Sequence, residues 1–449
     1  MLKSPRLVPC LAVLTATGLA LGACSGDRPA DAVGELVELS NEKTVEIVFE
    51  SYNLGTAGAW TDTTQGLIDR FNADHPNIKV TGQAGDSAAG VAQSVQKQLL
   101  AGQAPEVAQI IYNELDYAIN ELGAANLTEL VGQAGLDEHF GGEYPFHERA
   151  RVLSDRNGST YGIPYVFSTP VLWVNETKLA EAGIDPATVD LSTWEAVSAV
   201  GAKVSETTGA PSISLACVVT GGNWCMQALF KSNGASVLSA DRATIEFGSD
   251  EAVEVVATFQ QMFQDGILTN EDSNSMYESA ARGDVALHVN TSAVQHMLMA
   301  GAEAGGWTLN ATTLPAFGDK PVVPTNSGST LMIFTEDPEK RAAAWEFIKF
   351  MTSPAAYEQI TTKIGYLPLR TSMTEEGGPL AEWVGSNPLV KPNLAQLDSL
   401  SPWVAYPGSS YQQVDTVLAT AIEDAIFYGA DPAEAMREAA QRAQELIEG

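Results

Sequence analysis

From Val45 to Thr352 the chain alternates short apolar strands with helical segments, and that order confines it to an α/β architecture. Val45-Glu46-Ile47-Val48-Phe49 begins in alternation and ends apolar, as a strand does when it enters a core. Trp60, Leu67, Ile68 and Phe71 then recur at helical spacing and stop before His75-Pro76. Residues 78–80 form a second strand, 88–101 a helix closed by Gly102, and 107–112 a third strand. The alternation resumes with a strand at 170–175, a short helix ending at Gly183, and Ser192-Thr193-Trp194-Glu195 as a capping box. Residues 250–264 set Val253, Val256, Phe259 and Phe263 on one side of a helix. Strands at 284–289 and 331–334 and helices at 339–352, 413–428 and 432–447 complete the order, without a repeat of fixed period. Residues 371–410 are rich in Gly, Pro and Ser, and Trp383 and Trp403 are expected to pin them to a surface. A length of 449 residues fits two or three domains, or one large two-lobed unit.

The start of the chain is of another kind. Lys3 and Arg6 precede an apolar run over residues 7–21 that contains Pro9, Thr15 and Thr17. A basic start and a short apolar stretch read as an export signal, too short for a bilayer span. Its ending, Leu21-Gly22-Ala23-Cys24, looks like a bacterial lipobox, which implies removal of residues 1–23 and lipidation of Cys24. The other reading is an ordinary signal peptide with a chance cysteine. Residues 24–43 are small, polar and acidic, and read as a flexible tether. The chain is then expected at the extracytoplasmic face of the cell membrane, held through the lipid alone. Its formal net charge is −32, about −34 once Lys3 and Arg6 are removed. Such a surface lacks the basic footprint that nucleic acid or an anionic lipid surface requires.

Cys10 leaves with the signal, so Cys217 and Cys225 remain, eight residues apart in an oxidising compartment. A disulfide or two buried free thiols both fit that spacing. His75, His139, His147, His288 and His296 show no zinc-binding pattern, and no glycine-rich phosphate loop or dinucleotide fingerprint is present. Neither a metal nor a cofactor is expected. Ser40-Asn41-Glu42-Lys43 matches a Ser-x-x-Lys pattern only by composition, because it lies in the tether. Carboxylates are numerous, but none is marked as half of an acid–base pair.

Aromatic and small polar residues instead gather at the junctions between strands and helices. These are Tyr112-Asn113, Phe167-Ser168-Thr169, Asn223-Trp224, Thr291-Ser292, Asn326-Ser327-Gly328 and Gly365-Tyr366. Open α/β sheets bind ligands at the carboxyl ends of their strands. Aromatic faces there stack on sugar rings, while amides and hydroxyls bond to their edges.

The order and spacing of several stretches resemble the extracellular solute-binding proteins of family 1, the capture components of ABC importers. The stretches are Phe71-Asn-Ala-Asp-His-Pro76, Gly102-Gln-Ala-Pro-Glu-Val107, Tyr161-Gly-Ile-Pro164, Leu172-Trp-Val-Asn175, Arg282-Gly-Asp-Val-Ala286, Trp345-Glu-Phe-Ile348 and Gly365-Tyr-Leu-Pro368. The resemblance covers residues 45–449, nearly all of the mature chain. Ser168-Thr169-Pro170-Val171 and Gly365-Tyr366-Leu367-Pro368 look most like the branch that binds glycerol-3-phosphate and glycerophosphodiesters. That resemblance implies ligand contacts at Ser168, at Thr291 or Ser292, at Gly328 and at Tyr366, with stacking near Asn223-Trp224. The branch holds phosphate with an arginine near the start of its penultimate helix, where this chain reads Tyr411-Gln412-Gln413-Val414-Asp415. It also has a glutamate where this chain has Tyr112-Asn113, and a tyrosine at Ser87-Ala88. Burying a phosphate without an opposing cation is costly, so a neutral or amine-bearing carbohydrate is the better fit.

The resulting expectation is a two-lobed, type II binding-protein fold with its ligand between the lobes. Residues 44–166 plus 327–355 form one lobe and 168–323 plus 356–449 the other, with hinges near 164–170 and 324–329. Trp224 and Tyr366 supply stacking surface; Ser168, Ser292 and Asn326, with Tyr112, Asn113, Thr291, Asn223 and Gly328, supply the remaining contacts. The expected partners are a small carbohydrate or polyol and a membrane permease, and a monomer is the default. A glycerol-3-phosphate ligand in the same role and a lipid-anchored carbohydrate hydrolase are the alternatives.

Overall fold

Two sheets, each with its own core, organise the computed structural model, which describes residues 36–85, 87–220 and 223–448. Cys24, the signal segment and most of the tether lie outside the described residues. The first sheet has the order β2-β1-β3-β9-β4, with β1 at Val45–Ser51, β2 at Ile78–Ala84, β3 at Val107–Ile111, β4 at Ile163–Ser168 and β9 at Ser327–Ile333. β1 runs parallel to β2 and β3, and β9 runs antiparallel to β3 and β4. The second sheet has the order β8-β5-β7-β6, with β5 at Pro170–Asn175, β6 at Ile213–Leu215, β7 at Leu287–Thr291 and β8 at Leu309–Thr312. β4 and β5 are buried along their whole length, which is why they read as continuous apolar runs.

Helices cover both sheets. Phe71, on the helix Ala59–Asp74, and Phe49, on β1, each meet Phe347 edge-on with ring centroids 5.1 Å apart. Phe347 belongs to the helix Pro338–Met351, whose N-cap Asp337 accepts from the amides of Glu339 and Lys340. In the second core Trp194 packs edge-on against Phe259 of the helix Asp250–Gln264, at 4.9 Å. The cap of the Trp194–Thr208 helix is Thr193, which accepts from Ala196; the box read from the sequence placed the start at Ser192.

Among the described residues the chain passes between the cores three times. Residue 169 joins β4 to β5, and residues 313–326 lead from β8 to β9. A third passage runs from Leu400, in the first core, to Tyr406, in the second. The passages are tied to one another: Ser401 N donates to Pro324 O at 2.9 Å, and Gln396 Nε2 donates to Pro170 O at 2.9 Å. The lobe boundary drawn from the sequence needs correcting here. Ile360, Ile364, Leu367, Met373 and Leu380 bury themselves in the first core, not the second, so the segment from 356 to about 385 belongs with the first sheet, while Leu389 packs with Val171 and Trp173 of β5. The last helices, Tyr411–Tyr428 and Pro432–Glu448, join the second core.

Candidate functional site

The carboxyl ends of β1 and β3 and the start of the antiparallel β9 come to one edge of the first sheet. Ser51-Tyr52, Tyr112 and Gly328 meet there. Gly328 works through its backbone: its φ is +123°, and a Cβ at that position would lie 2.3 Å from the Val166 carbonyl oxygen. Its own carbonyl accepts from the Tyr112 amide at 3.0 Å, which fixes the start of the Tyr112 segment. Gly328→Ala is therefore expected to cost roughly 3 kcal/mol in urea unfolding, through strain and displacement of β4. A loss below about 0.5 kcal/mol would contradict that reading.

Beneath this edge lies a buried polar line. Ser51 Oγ donates to Gln109 Oε1, and Gln109 Nε2 donates to Ser329 Oγ at 2.9 Å. Ser329, Tyr366 and Gln109 moderate the rise that burial gives the Tyr52 phenol, and Tyr366 packs edge-on to Trp60 at 5.0 Å. Tyr366 follows Gly365, which has a φ of +100° and lies against His296 of the second lobe. Burial holds the Tyr112, Tyr366 and Tyr406 phenols well above their ordinary values, so all three stay neutral donors.

Across from Tyr112 stands Trp403, on the third passage. Their rings meet edge-on at 5.0 Å, and Tyr406 meets Trp403 at 6.1 Å. The loop carrying Trp403 is held from behind. Asn326 Oδ1 accepts from the Trp403 amide at 2.9 Å, Gln227 Oε1 accepts from the Val404 amide at 2.8 Å, and Lys231 bonds with Ser401 Oγ and the Pro402 carbonyl. Burial lowers Lys231 to about 8. Rings from both lobes thus form an arc: Trp60, Tyr366, Tyr52, Tyr112, Trp403, Tyr406.

At the Tyr112 end the lobes touch. Tyr411 donates to Glu114 Oε1 at 3.4 Å, and its ring lies 5.8 Å from that of Tyr117. Asp116 receives Arg156 at 2.7 Å from its own lobe and Arg242 at 2.8 Å from the other. Glu114 is 1% exposed, and burial pushes its carboxyl up to about 8 despite the Tyr411 bond. Asp415, one turn beyond Tyr411, adds to the elevation of both Tyr112 and Tyr406.

Several buried polar atoms here have no hydrogen-bond partner: Glu114 Oε2, Asn113 Oδ1, Trp403 Nε1 and Tyr406 OH, and Ser292 Oγ near the first passage. Each such group costs about 1–3 kcal/mol, so their concentration between two lobes marks a place where a polar ligand has something to satisfy. The lobes are closed on each other, and the open hollow lined by Thr416, Asp424 and Arg442 lies outside the arc. Among the described residues no group of three or more His, Cys, Asp or Glu side chains is arranged to hold a metal ion.

The sequence-derived candidates separate into several roles. Tyr112, Asn113 and Tyr366 lie on the arc or beside it. Ser292 is buried with its amide on the Thr169 carbonyl, and Thr291 caps the turn by accepting from Ala293. Ser168 ends β4 opposite Ser327. Asn326 is engaged by Trp403, and Gly328 by backbone packing, so both position the site through others. Trp224 is half-buried against the second core, beside a disulfide between Cys217 and Cys225 with Cα atoms 4.9 Å apart. No ring contact joins Trp224 to the arc among the described residues; the Asn223 side chain is outside the description. Tyr52, Glu114, Trp403, Tyr406, Tyr411 and Asp415 were not among the expected ligand contacts. Their signal was there in part, since Glu114 directly follows Tyr112-Asn113 and three rings crowd the span from 403 to 411.

A family model described as bacterial extracellular solute-binding protein matches residues 66–392. The sn-glycerol-3-phosphate-binding periplasmic protein UgpB of Escherichia coli strain K12 is 23% identical over 345 residues, 70% of this chain and 73% of that one. The UgpB structure from Mycobacterium tuberculosis, in complex with glycerophosphocholine, superposes with a TM-score of 0.77 at 20% identity, over 90% of this chain and 99% of the other. The cyclic alpha-maltosyl-1,6-maltose binding protein from Arthrobacter globiformis gives 0.75 at 18% identity, with 90% and 99% covered. These superpositions establish the two-lobed fold.

Proposed function

Because the chain belongs to the bacterial extracellular solute-binding proteins, we propose that it is the capture component of an ABC importer, closing on a carbohydrate or related polyol. The closed form then delivers the solute to a membrane permease. One observation carries the ligand class: an aromatic arc contributed by both lobes, with unpartnered buried polar atoms among its rings. Flat apolar faces beside isolated donors and acceptors suit a ring with hydroxyl edges. Closure is favoured because only the closed form presents both halves of the arc to the ligand.

Tyr112, Asn113, Ser292 and Tyr366 contact the ligand in this reading, joined by Trp403 and Tyr406. Trp224 lends a stacking face from beyond β6, and Ser168 and Thr291 line the passage between the lobes. The extracytoplasmic location follows from the family, and the lipid at Cys24 tethers the protein there. Catalysis has no place in this reading, since the family is one of solute-binding proteins.

A glycerophosphodiester is the second reading, favoured by what the UgpB relatives are named for binding. Against it, both arginines at the lobe contact are engaged by Asp116, and Lys231 is engaged by the Ser401 hydroxyl and the Pro402 carbonyl. Thermal-shift titration of the purified protein separates the readings, with neutral mono- and disaccharides, amino sugars, glycerol-3-phosphate and glycerophosphocholine as the panel. A ligand at about 100 times its Kd adds roughly 2.7 kcal/mol of stability. Shifts with carbohydrates alone are expected; a shift with the phosphodiester alone replaces the ligand class and leaves the importer role standing.

A further inference from the structure

We propose that Gln227 is a positioning residue for ligand capture: it sets the Trp403 ring opposite Tyr112, from a helix that the Cys217–Cys225 disulfide fixes to the cleft edge of the second sheet. This rests on the reading of the aromatic arc as the ligand cleft, and it adds the device that holds the second half of the arc in place.

β6 runs parallel to β7, so both finish at the same edge of the second sheet. β7 finishes at Thr291, which pairs with Pro170 at the first passage between the lobes, so that edge faces the cleft. Cys217 lies in the single turn Ala216–Val218 that follows β6, and Cys225 directly precedes the helix Met226–Ser232. The disulfide joins the two. A seven-residue helix is too short to hold itself, so its direction is set by what it is tied to and packed against. Met226, Leu229 and Phe230 supply the packing: they recur at helical spacing and are buried in the second core. Gln227 and Lys231, four residues apart, share another face, and that face meets the third passage.

Gln227 makes a paired contact there. Its Oε1 accepts from the Val404 amide at 2.8 Å, and its Nε2 donates to the Val404 carbonyl at 2.9 Å. The side chain, 2% exposed, thus satisfies both backbone groups of one loop residue, as a neighbouring strand would. Residues 402–406 form no helix or strand, so the place of Val404 depends on such contacts. Trp403 is the preceding residue, and its ring meets Tyr112 at 5.0 Å. Holding the backbone at 404 therefore holds the ring across which the lobes close. Lys231 adds a second tie from the same helix, to Ser401 Oγ at 3.1 Å and to the Pro402 carbonyl. Without these ties the ring is ordered only when ligand arrives, and that ordering is subtracted from the affinity.

The test labels the protein with 5-fluorotryptophan, and Trp403→Phe assigns the Trp403 resonance. Gln227→Met keeps the length of the side chain and removes its amide. Gln260→Met is the control, because Gln260 Nε2 also donates to backbone carbonyls of this lobe, those of Ala425 and Ala430, at the far end of the helix Tyr411–Tyr428. In the unliganded protein Gln227→Met is expected to shift or broaden the Trp403 resonance and to leave that of Trp383 in place. Gln260→Met is expected to lower the melting temperature and to move neither. Cys217→Ala combined with Cys225→Ala is expected to move the Trp403 resonance in the same direction as Gln227→Met. If that pair does not fold, wild type reduced with dithiothreitol takes its place: the protein disulfide becomes two thiols and the reagent's two thiols become a cyclic disulfide. Calorimetry with maltose and with glycerophosphocholine adds the functional readout. Whichever probe binds wild type is expected to bind Gln227→Met about tenfold more weakly, and Gln260→Met within about twofold. An unmoved Trp403 resonance in Gln227→Met overturns the proposal, as does equal affinity of Gln227→Met and wild type. An unmoved resonance in the folded, disulfide-free protein overturns the part given to the disulfide. Binding of glycerophosphocholine alone, with a moved resonance, replaces the carbohydrate reading and leaves the role of Gln227 standing; if neither probe binds, the resonance alone decides.

Discussion

Glu114→Gln is expected to flatten the pH dependence of the unliganded protein's stability between about pH 4.5 and 8. The sign follows from proton counting. In the unfolded chain this carboxyl loses its proton near its ordinary 4.5, whereas the folded protein keeps it until about 8. Between those values the folded state binds more protons than the unfolded state, so raising the pH favours unfolding by about 1.4 kcal/mol per unit. The contribution is fully present below pH 4.5 and lost as the pH rises through 8, on the order of 5 kcal/mol in all. Glutamine keeps the shape, carries no charge and titrates nowhere in this range. His139 and His288, both lowered to about 3 by burial, act in the opposite sense below about 6.5, but do so in both proteins. Urea unfolding of the two proteins at pH 5 and pH 9 therefore isolates Glu114 as a difference of differences. Wild type is expected to lose several kcal/mol more than the variant over that interval. Parallel losses would mean that Glu114 ionises freely in the folded state, and the closed contact with Tyr411 would need another account.

Several strands and the two-lobed architecture were legible in the sequence because they rest on local signals, whereas the strands Ile163–Ser168, Ile213–Leu215 and Leu309–Thr312 were not read. Val45–Ser51, Ile78–Ala84 and Pro170–Asn175 announce themselves by alternation or by unbroken apolar runs, and Asp337-Pro338 announces a helix start. The assignment of residues 356 to about 385 was not legible. Ile360, Leu367 and Met373 are apolar whichever core they enter, and only the path of the chain decides. The same division runs through the site. Tyr112 and Tyr366 stand at ends of regular segments and could be found from that position alone. Trp403 could not, because its place opposite Tyr112 depends on Asn326, Gln227 and Lys231 holding an irregular loop from three distant points in the chain. Glu114 is likewise an ordinary acid among 56 until the fold buries it against Tyr411.

Trp403→Ala is expected to weaken ligand binding by about 100-fold, the effect of removing a central aromatic anchor from a buried interface. The indole is 8% exposed, meets Tyr112 of the first lobe at 5.0 Å and Tyr406 of the second at 6.1 Å, and so belongs to both halves of the cleft. Its removal takes away a ring face, one buried N–H donor and a contact across which the lobes close. Trp403→Phe separates these: it keeps a face and the contact but not the donor, and is expected to lose about tenfold. Trp383→Ala is the natural comparison, since Trp383 lies in the same Gly- and Pro-rich stretch and packs only against the first core. That variant is expected to lower the melting temperature with affinity held within about threefold, because its contacts are the same in open and closed forms. Small-angle scattering adds a readout that does not depend on knowing the ligand. Trp403→Ala is expected to shift the unliganded protein toward a larger radius of gyration, and Trp383→Ala is not. If both variants scatter like wild type, the Tyr112–Trp403 contact does not hold the lobes together, and closure must be carried by the Glu114–Tyr411 and Asp116–Arg242 contacts alone.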